Sequence, residues 1–332
     1  MPFSSKWLSA IALAAAVTAI SACSSDRAET YIVRIDGSST VFPITEAIAE
    51  EFQVATKIKT TVGISGTGGG FKKFCRGETD MTQASRPILK EEMEACKAAG
   101  IEYIELPIAY DALTVVINKN NDFITSMTVD ELKAMWEPAA QDKIKNWNQV
   151  NQAWTDRPLN LFGAGSDSGT FDYFTEAIMG KAKSSRGDFT ASEDDNVVVR
   201  GVAGDVGAIG YFGFAYFAEN QEAIKAVSIV AKPGEAAVAP SEENVMNGTY
   251  QPLSRPLFIY VNAKSAETPE VSDFIDYYIE NSKELIQEVK FIPLPDNEYT
   301  AVTEHWQARK VGTGFGGHPE VGIKIEDLLK RI

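Results

Sequence analysis

Residues 165–171 read GSDSGTF, directly after the apolar run PLNLFGAG (158–165) and directly before DYFTEAIMG (172–180). The first run reads as a strand and the last segment as a helix. Three short hydroxyl side chains, Ser166, Ser168 and Thr170, and two glycines therefore stand together at one helix start. A helix N-cap uses one such side chain. The surplus asks for another explanation.

The same local design occurs twice more. DGSSTVFPITEA (36–47) is strand end, glycine, Ser38, Ser39, Thr40 and helix, with Pro43 near the first turn. GISGTGGGFKKF (63–74) is strand end, glycines with Ser65 and Thr67, and helix. The first turn of a helix has unpaired N–H groups and carries roughly +0.5 of a charge from the macrodipole. Glycine lets backbone donors approach a ligand closely, and Ser or Thr adds a donor without bulk. For one such motif an ordinary cap is an adequate account. Three of them point to a small oxyanion.

Strands and helices alternate along the rest of the chain, which predicts an α/β fold. YIVRIDG (31–37), KIKTTVGI (57–64), TDMTQAS (79–85) and RPLFIYVN (255–262) read as strands, and IEYIELPIAYDALTVVIN (101–118) as two strand segments broken at Pro107. KEEMEACKAAG (90–100) reads as a helix closed by Gly100, TVDELKAMWE (128–137) as a helix opened by a Thr128/Glu131 capping box, and PEVSDFIDYYIENS (269–282) as a further helix. The Gly-rich VGTGFGGHPE (311–320) is the one candidate disordered tract, and GTGFGGHPEVGIKIEDLLKRI (312–332) reads as a tail or a closing helix.

Residues 1–22 read as an export leader. Lys6 precedes the uncharged run WLSAIALAAAVTAI (7–20), which is short for a membrane span. ISAC (20–23) resembles the lipobox of bacterial lipoproteins, which implies cleavage before Cys23 and a lipid on its sulfur. The alternative is an ordinary cut after Ala22. The chain beyond this leader is long enough for two domains. Loss of Lys6 takes the formal charge from −15 to −16. Such a chain is not built to bind nucleic acid, and its long-range field repels anions. Export and an even pair suggest a Cys75–Cys96 disulfide, against the alternative of two buried thiols. Neither cysteine has metal-ligand spacing.

Competing motifs fail on spacing. Neither Ser166 nor Ser168 follows a glycine at the nucleophile-elbow position, and GTGGGFKK lacks the end of a Walker loop. The two histidines, His305 and His318, lie far along the chain.

DGSSTVFPITEAIAEEF, GISGTGGGFKKFCRGETDMTQASRPI, YDALTVVIN, NWNQVN, GSDSGTF and GAIGYFGFAYF, in that order, closely resemble the phosphate-binding proteins that deliver to ABC phosphate importers. The resemblance runs from about residue 31 to about residue 300. It implies the type II periplasmic-binding-protein fold: two α/β lobes, a ligand cleft between them and two crossing strands near Tyr110–Leu113 and Pro252–Pro256. One lobe would be residues 27–111 plus 256–332, the other 112–255. Carried onto this sequence, the phosphate donors would be Ser39, Thr40, Thr67, Ser168, the Gly169 N–H and Thr170, with Ser38, Ser65 and Ser166 as further candidates.

The sequence also departs from the best-known members. Where they place a carboxylate that accepts the ligand's proton, ASRPI (84–88) supplies Arg86, and where they place an arginine before the third motif stands Ala164. Arg86 is therefore expected to make a charge-assisted contact with the anion. The proton acceptor would be Asp111 first, then Asp167 or Asp195. The function implied is a monomeric, exported, lipid-anchored solute-binding protein. It would hand inorganic phosphate to ABC permease subunits, without cofactor, metal or catalysis. The alternatives are a receptor for sulfate, arsenate or molybdate, a phosphate sensor, and an exported phosphate-ester hydrolase with a serine nucleophile.

Overall fold

The computed structural model describes residues 31–318, 320 and 325–331; the leader and Cys23 lie outside the described residues. The chain begins with β1 (Ile32–Gly37), α1 (Phe42–Thr56), β2 (Lys59–Ile64), α2 (Gly66–Phe74), β3 (Met81–Ala84), α3 (Lys90–Ala98) and the long β4 (Tyr103–Asn118). Then come β5 (Ser126–Thr128), α4 (Val129–Trp136), β6 (Asn160–Ala164), α5 (Gly169–Met179), β7 (Thr190–Ser192), α6 (Asp195–Gly204), β8 (Ala208–Gly213) and α7 (Phe214–Glu219). The last part holds β9 (Ile224–Ala226), β10 (Ser228–Val230), α8 (Glu242–Met246), β11 (Ser254–Asn262), α9 (Pro269–Glu288), β12 (Ile292–Pro293), α10 (Asp296–Gln307) and α11 (Ile325–Leu329).

The main sheet runs β2-β1-β3-β11-β4-β8-β6-β7, with β12 and β9 also paired to β4. It is mixed. β2, β1 and β3 are parallel, as are β8, β6 and β7, while β11 is antiparallel to both β3 and β4. β4 joins the two parallel groups. Its first part pairs with β11, and residues from Leu113 onward pair with β8 and β9. The expected break at Pro107 does not occur. The register slips between Leu257 and Phe258, so that Ala109 faces Leu257 and Pro107 faces Phe258. This bulge leaves Ile108 unpaired and absorbs a residue that cannot donate to the ladder.

Local chemistry sets the helix ends. Thr128 Oγ1 accepts the Glu131 N–H at 3.1 Å, and Glu131 Oε2 accepts the Thr128 N–H at 2.8 Å, which closes the expected capping box. Gly100 takes the left-handed conformation, φ 71°, just past α3. Ile44, Ile48 and Phe52 recur at helical spacing on α1 and are fully buried.

Two of the apolar clusters are centred on aromatic groups that flank the ends of β4. Phe71, Phe74, Phe258, Tyr260 and Phe315 pack beside the Cys75–Cys96 disulfide, which is present. Trp136, Trp147, Phe174 and Tyr211 centre the other. The Gly-rich C-terminal stretch docks instead of trailing. Gly312 bridges to Ile104, and buried Glu105 accepts from Thr313 Oγ1 at 2.5 Å, the Gly314 N–H at 3.1 Å and Tyr260 Oη at 2.7 Å.

Candidate functional site

Each of the three repeated motifs folds as strand, tight connection and helix: β1 to α1, β2 to α2, and β6 to α5. β1 and β2 belong to one parallel group and β6 to the other, which runs in the opposite direction. The carboxyl ends of both groups therefore come to the middle of β4, where it passes from one group to the other. In open α/β sheets ligands sit outside the carboxyl ends of the strands. The caps then separate two readings of the hydroxyls. Neither α1 nor α2 has a side-chain cap hydrogen bond, so Ser38, Ser39, Thr40 and Thr67 do not serve as caps there. At α5, Ser168 does cap, accepting the Thr170 N–H at 3.1 Å.

The hydroxyls meet one another across the fold. Thr40 Oγ1 and Thr170 Oγ1 are 3.0 Å apart. Ser38 Oγ donates to Ser85 Oγ at 3.0 Å, and Ser85 Oγ is 3.2 Å from Thr67 Oγ1. All five of these residues are buried. Gly169 opens α5 directly against them. A Cβ there would stand 2.5 Å from both Ser85 Oγ and Thr67 Oγ1, so only glycine lets the α5 backbone approach so closely. Ser39 is also buried, and its carbonyl accepts from Tyr216 Oη at 3.3 Å.

Two expected donors lie elsewhere. Ser166 is exposed. Ser65 donates its hydroxyl to Asp36, a carboxylate also held by Lys73 at 2.6 Å. Ser85 is a residue that sequence reasoning passed over, although it adjoins Arg86 in a stretch already singled out.

Two buried guanidiniums flank the cluster. Arg86 sends Nε to Asp172 Oδ2 at 2.6 Å, Nη1 to Glu92 Oε2 and Pro87 O at 2.8 and 3.0 Å, and Nη2 to Glu92 Oε1 at 2.8 Å. Burial opposes its charge, but Glu92 and then Asp172 outweigh burial and hold it above its usual pKa. One of its five N–H groups remains, on Nη2, the nitrogen 3.6 Å from where a Cβ on Gly68 would stand.

Arg255, at the start of β11, was not anticipated. Its Nε and Nη2 donate to Asp111 Oδ2 at 3.0 and 2.8 Å, its Nη2 also to Thr170 Oγ1 at 2.9 Å, and its Nη1 to the Gly169 carbonyl at 3.2 Å. The available signal was a charged residue opening the apolar run RPLFIYVN (255–262). Asp111 lies against Gly213, on whose other contact side stands Thr40: a Cβ there would be 3.2 Å from both Asp111 Oδ1 and Thr40 Cγ2. Both Asp111 oxygens accept protein donors, since Oδ1 takes the Phe214 N–H at 3.2 Å.

The loop before α5 also touches α2 directly. The Asp167 carbonyl accepts the Gly68 N–H at 3.0 Å, and its carboxylate pairs with Lys72 at 3.1 Å in an exposed position. The cluster is therefore lined by uncapped hydroxyls, a glycine backbone and two guanidiniums that are each neutralised by carboxylates. Such a lining suits a small anion held by short directed hydrogen bonds, not by net charge. Among the described residues no group of His, Cys, Asp and Glu is arranged to hold a metal ion, and no helix is long and apolar enough to cross a membrane.

The profile of the PBP superfamily domain matches residues 18–282. Protein SphX of Synechococcus elongatus is 52% identical over 320 residues, covering 96% of this chain and 93% of its own. The phosphate-binding protein PstS of Staphylococcus saprophyticus is 37% identical over 272 residues, covering 81% and 82%. Among solved structures, a possible phosphate binding protein from Planctomyces limnophilus is 48% identical with a TM-score of 0.64, covering 84% of this chain and 99% of its own. A putative phosphate ABC transporter substrate-binding protein from Clostridium perfringens, solved with bound phosphate, is 28% identical with a TM-score of 0.67, covering 80% and 100%. The chain belongs to the PBP superfamily, and within it to the family of the phosphate-binding protein PstS.

Proposed function

We propose that this protein captures inorganic phosphate and delivers it to an ABC importer. The observation that carries the reading is the convergence of buried hydroxyls from two helix starts that they do not cap, Ser38, Thr40 and Thr67, on Gly169 and Thr170 of a third. The ligand set we assign is Ser38, Ser39, Thr40, Thr67, Ser85, Ser168, the Gly169 N–H and Thr170, flanked by Arg86 and Arg255. Arg86 offers its remaining Nη2 donor. Asp111 holds Arg255 in place. Ser65 and Ser166 fall outside the set.

Residues 27–111 plus 256–332 form one lobe in this reading and residues 112–255 the other, with β4 and the start of β11 as the crossings. The 3.0 Å contact between Thr40 and Thr170 then belongs to the closed arrangement, in which water is removed from the anion. Export, a lipid on Cys23 and a monomeric state belong to the same proposal. They are supported by the leader pattern and by kinship with binding proteins of ABC importers. No catalytic step is assigned, because neither His305 nor His318 hydrogen-bonds any hydroxyl of the cluster.

Calorimetric titration of mature protein, stripped of anion, tests the reading. The expected result is saturable one-to-one phosphate binding without turnover of an aryl phosphate. Absence of phosphate binding overturns it.

A further inference from the structure

The loop that leads into α5 is held by a side chain outside the ligand set. β6 and β7 pair in parallel with Ala164 opposite Ser192, and the Gly165 N–H donates to the Ser192 carbonyl at 2.9 Å. This register sets the next residue, half-buried Glu193, beside the loop. Glu193 Oε1 accepts the Asp167 N–H at 3.1 Å. Gly165 makes room for it, because a Cβ there would fall within the Glu193 carboxylate.

The loop passes this hold on in two directions. The peptide between Asp167 and Ser168 carries both links. Its N–H, on Ser168, closes back on the Gly165 carbonyl at 3.0 Å, which fixes the residue that caps α5. Its carbonyl, on Asp167, accepts the Gly68 N–H of α2 at 3.0 Å. The other motif makes room as well. A Cβ on Gly66, φ 72°, would stand 2.6 Å from that carbonyl and 3.0 Å from Glu193 Oε2. Gly165 and Gly66 thus admit a carboxylate and a loop, where glycine in such motifs was expected to admit a ligand. Only the backbone of Asp167 takes part, since its carboxylate pairs with Lys72 in an exposed position.

We infer that Glu193 is a positioning residue for the anion site. It acts through the Asp167 N–H and keeps Ser168, Gly169 and Thr170 seated against α2. A hydrogen bond to a carboxylate is stronger than one between neutral groups. It holds a loop of small residues in one of many open conformations, and so removes part of the ordering cost from binding. The inference rests on the oxyanion reading of the site.

The test measures phosphate affinity by calorimetry, and release by chase of radiolabelled phosphate, on anion-stripped wild type, Glu193→Ala, Glu193→Gln and Gly165→Ala. Thermal melts of the phosphate-free proteins run alongside. Glu193→Ala should weaken phosphate by about tenfold, mainly through faster release, with little change in the melt. Gly165→Ala, whose methyl displaces the carboxylate, should do the same. Glu193→Gln keeps an acceptor for the Asp167 N–H and should recover most of the affinity. Wild-type affinity in Glu193→Ala overturns the inference, and so does a Glu193→Gln variant as weak as Glu193→Ala. If Glu193→Ala does not fold, wild-type affinity in Gly165→Ala overturns it instead. Each of these results leaves phosphate capture standing. Wild type that binds no phosphate overturns both.

Discussion

Thr40 Oγ1 and Thr170 Oγ1 lie 3.0 Å apart, although 130 residues separate them in the chain. The pair joins the turn before α1 to the first turn of α5, and Arg255 Nη2 reaches the same Thr170 oxygen at 2.9 Å. A hydroxyl pair of this kind is a weak link by itself. Its value is positional: it fixes two helix N-termini at a spacing that a single small anion can bridge.

Gly169→Ala tests that spacing. The new methyl would stand 2.5 Å from Ser85 Oγ and Thr67 Oγ1, and α5 must back away from α2 to admit it. We expect overpacking of about 1–3 kcal/mol. Phosphate affinity should fall by about tenfold or more, because the displaced groups are the donors themselves. A calorimetric Kd alongside a thermal melt separates the two effects, and an unaltered Kd would remove Gly169 from the ligand set.

Arg255→Ala should be strongly destabilising. Asp111 is fully buried, and loss of its guanidinium leaves an unpaired charge, at a cost of about 3–5 kcal/mol. The double variant Arg255→Met with Asp111→Asn removes both charges and should recover most of that stability while phosphate binding stays lost. Urea unfolding and phosphate titration of both variants check this. Recovery of binding in the double variant would show that Arg255 acts only as scaffold.

Arg86→Ala should weaken phosphate binding by about tenfold or more, through loss of its remaining donor and release of Asp172 and Glu92. Near-normal affinity in a folded variant would confine Arg86 to joining α3 to α5.

Glu105 predicts the sign of a pH effect on stability. Burial, opposed by its three hydrogen bonds, pushes its carboxyl from 4.5 up to about 7. The folded chain therefore keeps a proton that the unfolded chain has released. This contribution is fully present below about 4.5 and is lost as pH rises through about 7, about 3 kcal/mol in all. Asp195 acts in the same direction. Glu105→Gln should flatten the part of the decline that Glu105 causes, measured as Tm against pH between about 4 and 8. A profile as steep as that of wild type would place Glu105 outside the titration.

Reduction of Cys75–Cys96 frees a loop of 21 residues and should lower unfolding stability by about 3 kcal/mol. Phosphate binding should persist in the folded remainder, because the bridge lies in the apolar packing behind α2, among Phe71 and Phe74. Chemical denaturation with and without reductant measures the first point and titration the second.

Much of this was legible from the chain itself. Alternating strand and helix patterns fixed the α/β class. The triple recurrence of glycines and hydroxyls at helix starts marked Thr40, Thr67, Gly169 and Thr170 as candidates, because that chemistry is local: a helix start and its small donors are neighbours in sequence. The fold brings these four together. The Thr128/Glu131 box and the Gly100 stop are local in the same way. Other features depended on distant partners. Nothing near Pro107 in sequence announces the bulge that lets β4 run on, since the extra residue is absorbed against Leu257 and Phe258. Arg255 joins the site only because β11 lies antiparallel to β4 and sets it opposite Asp111. Arg86 and Asp195 show the same limit. A guanidinium or a carboxylate has no fixed role in sequence. Burial and the charges that folding brings within reach decide whether it is paired, as Arg86 is with Glu92 and Asp172, or buried with an oxygen that has no hydrogen-bond partner, as Asp195 is.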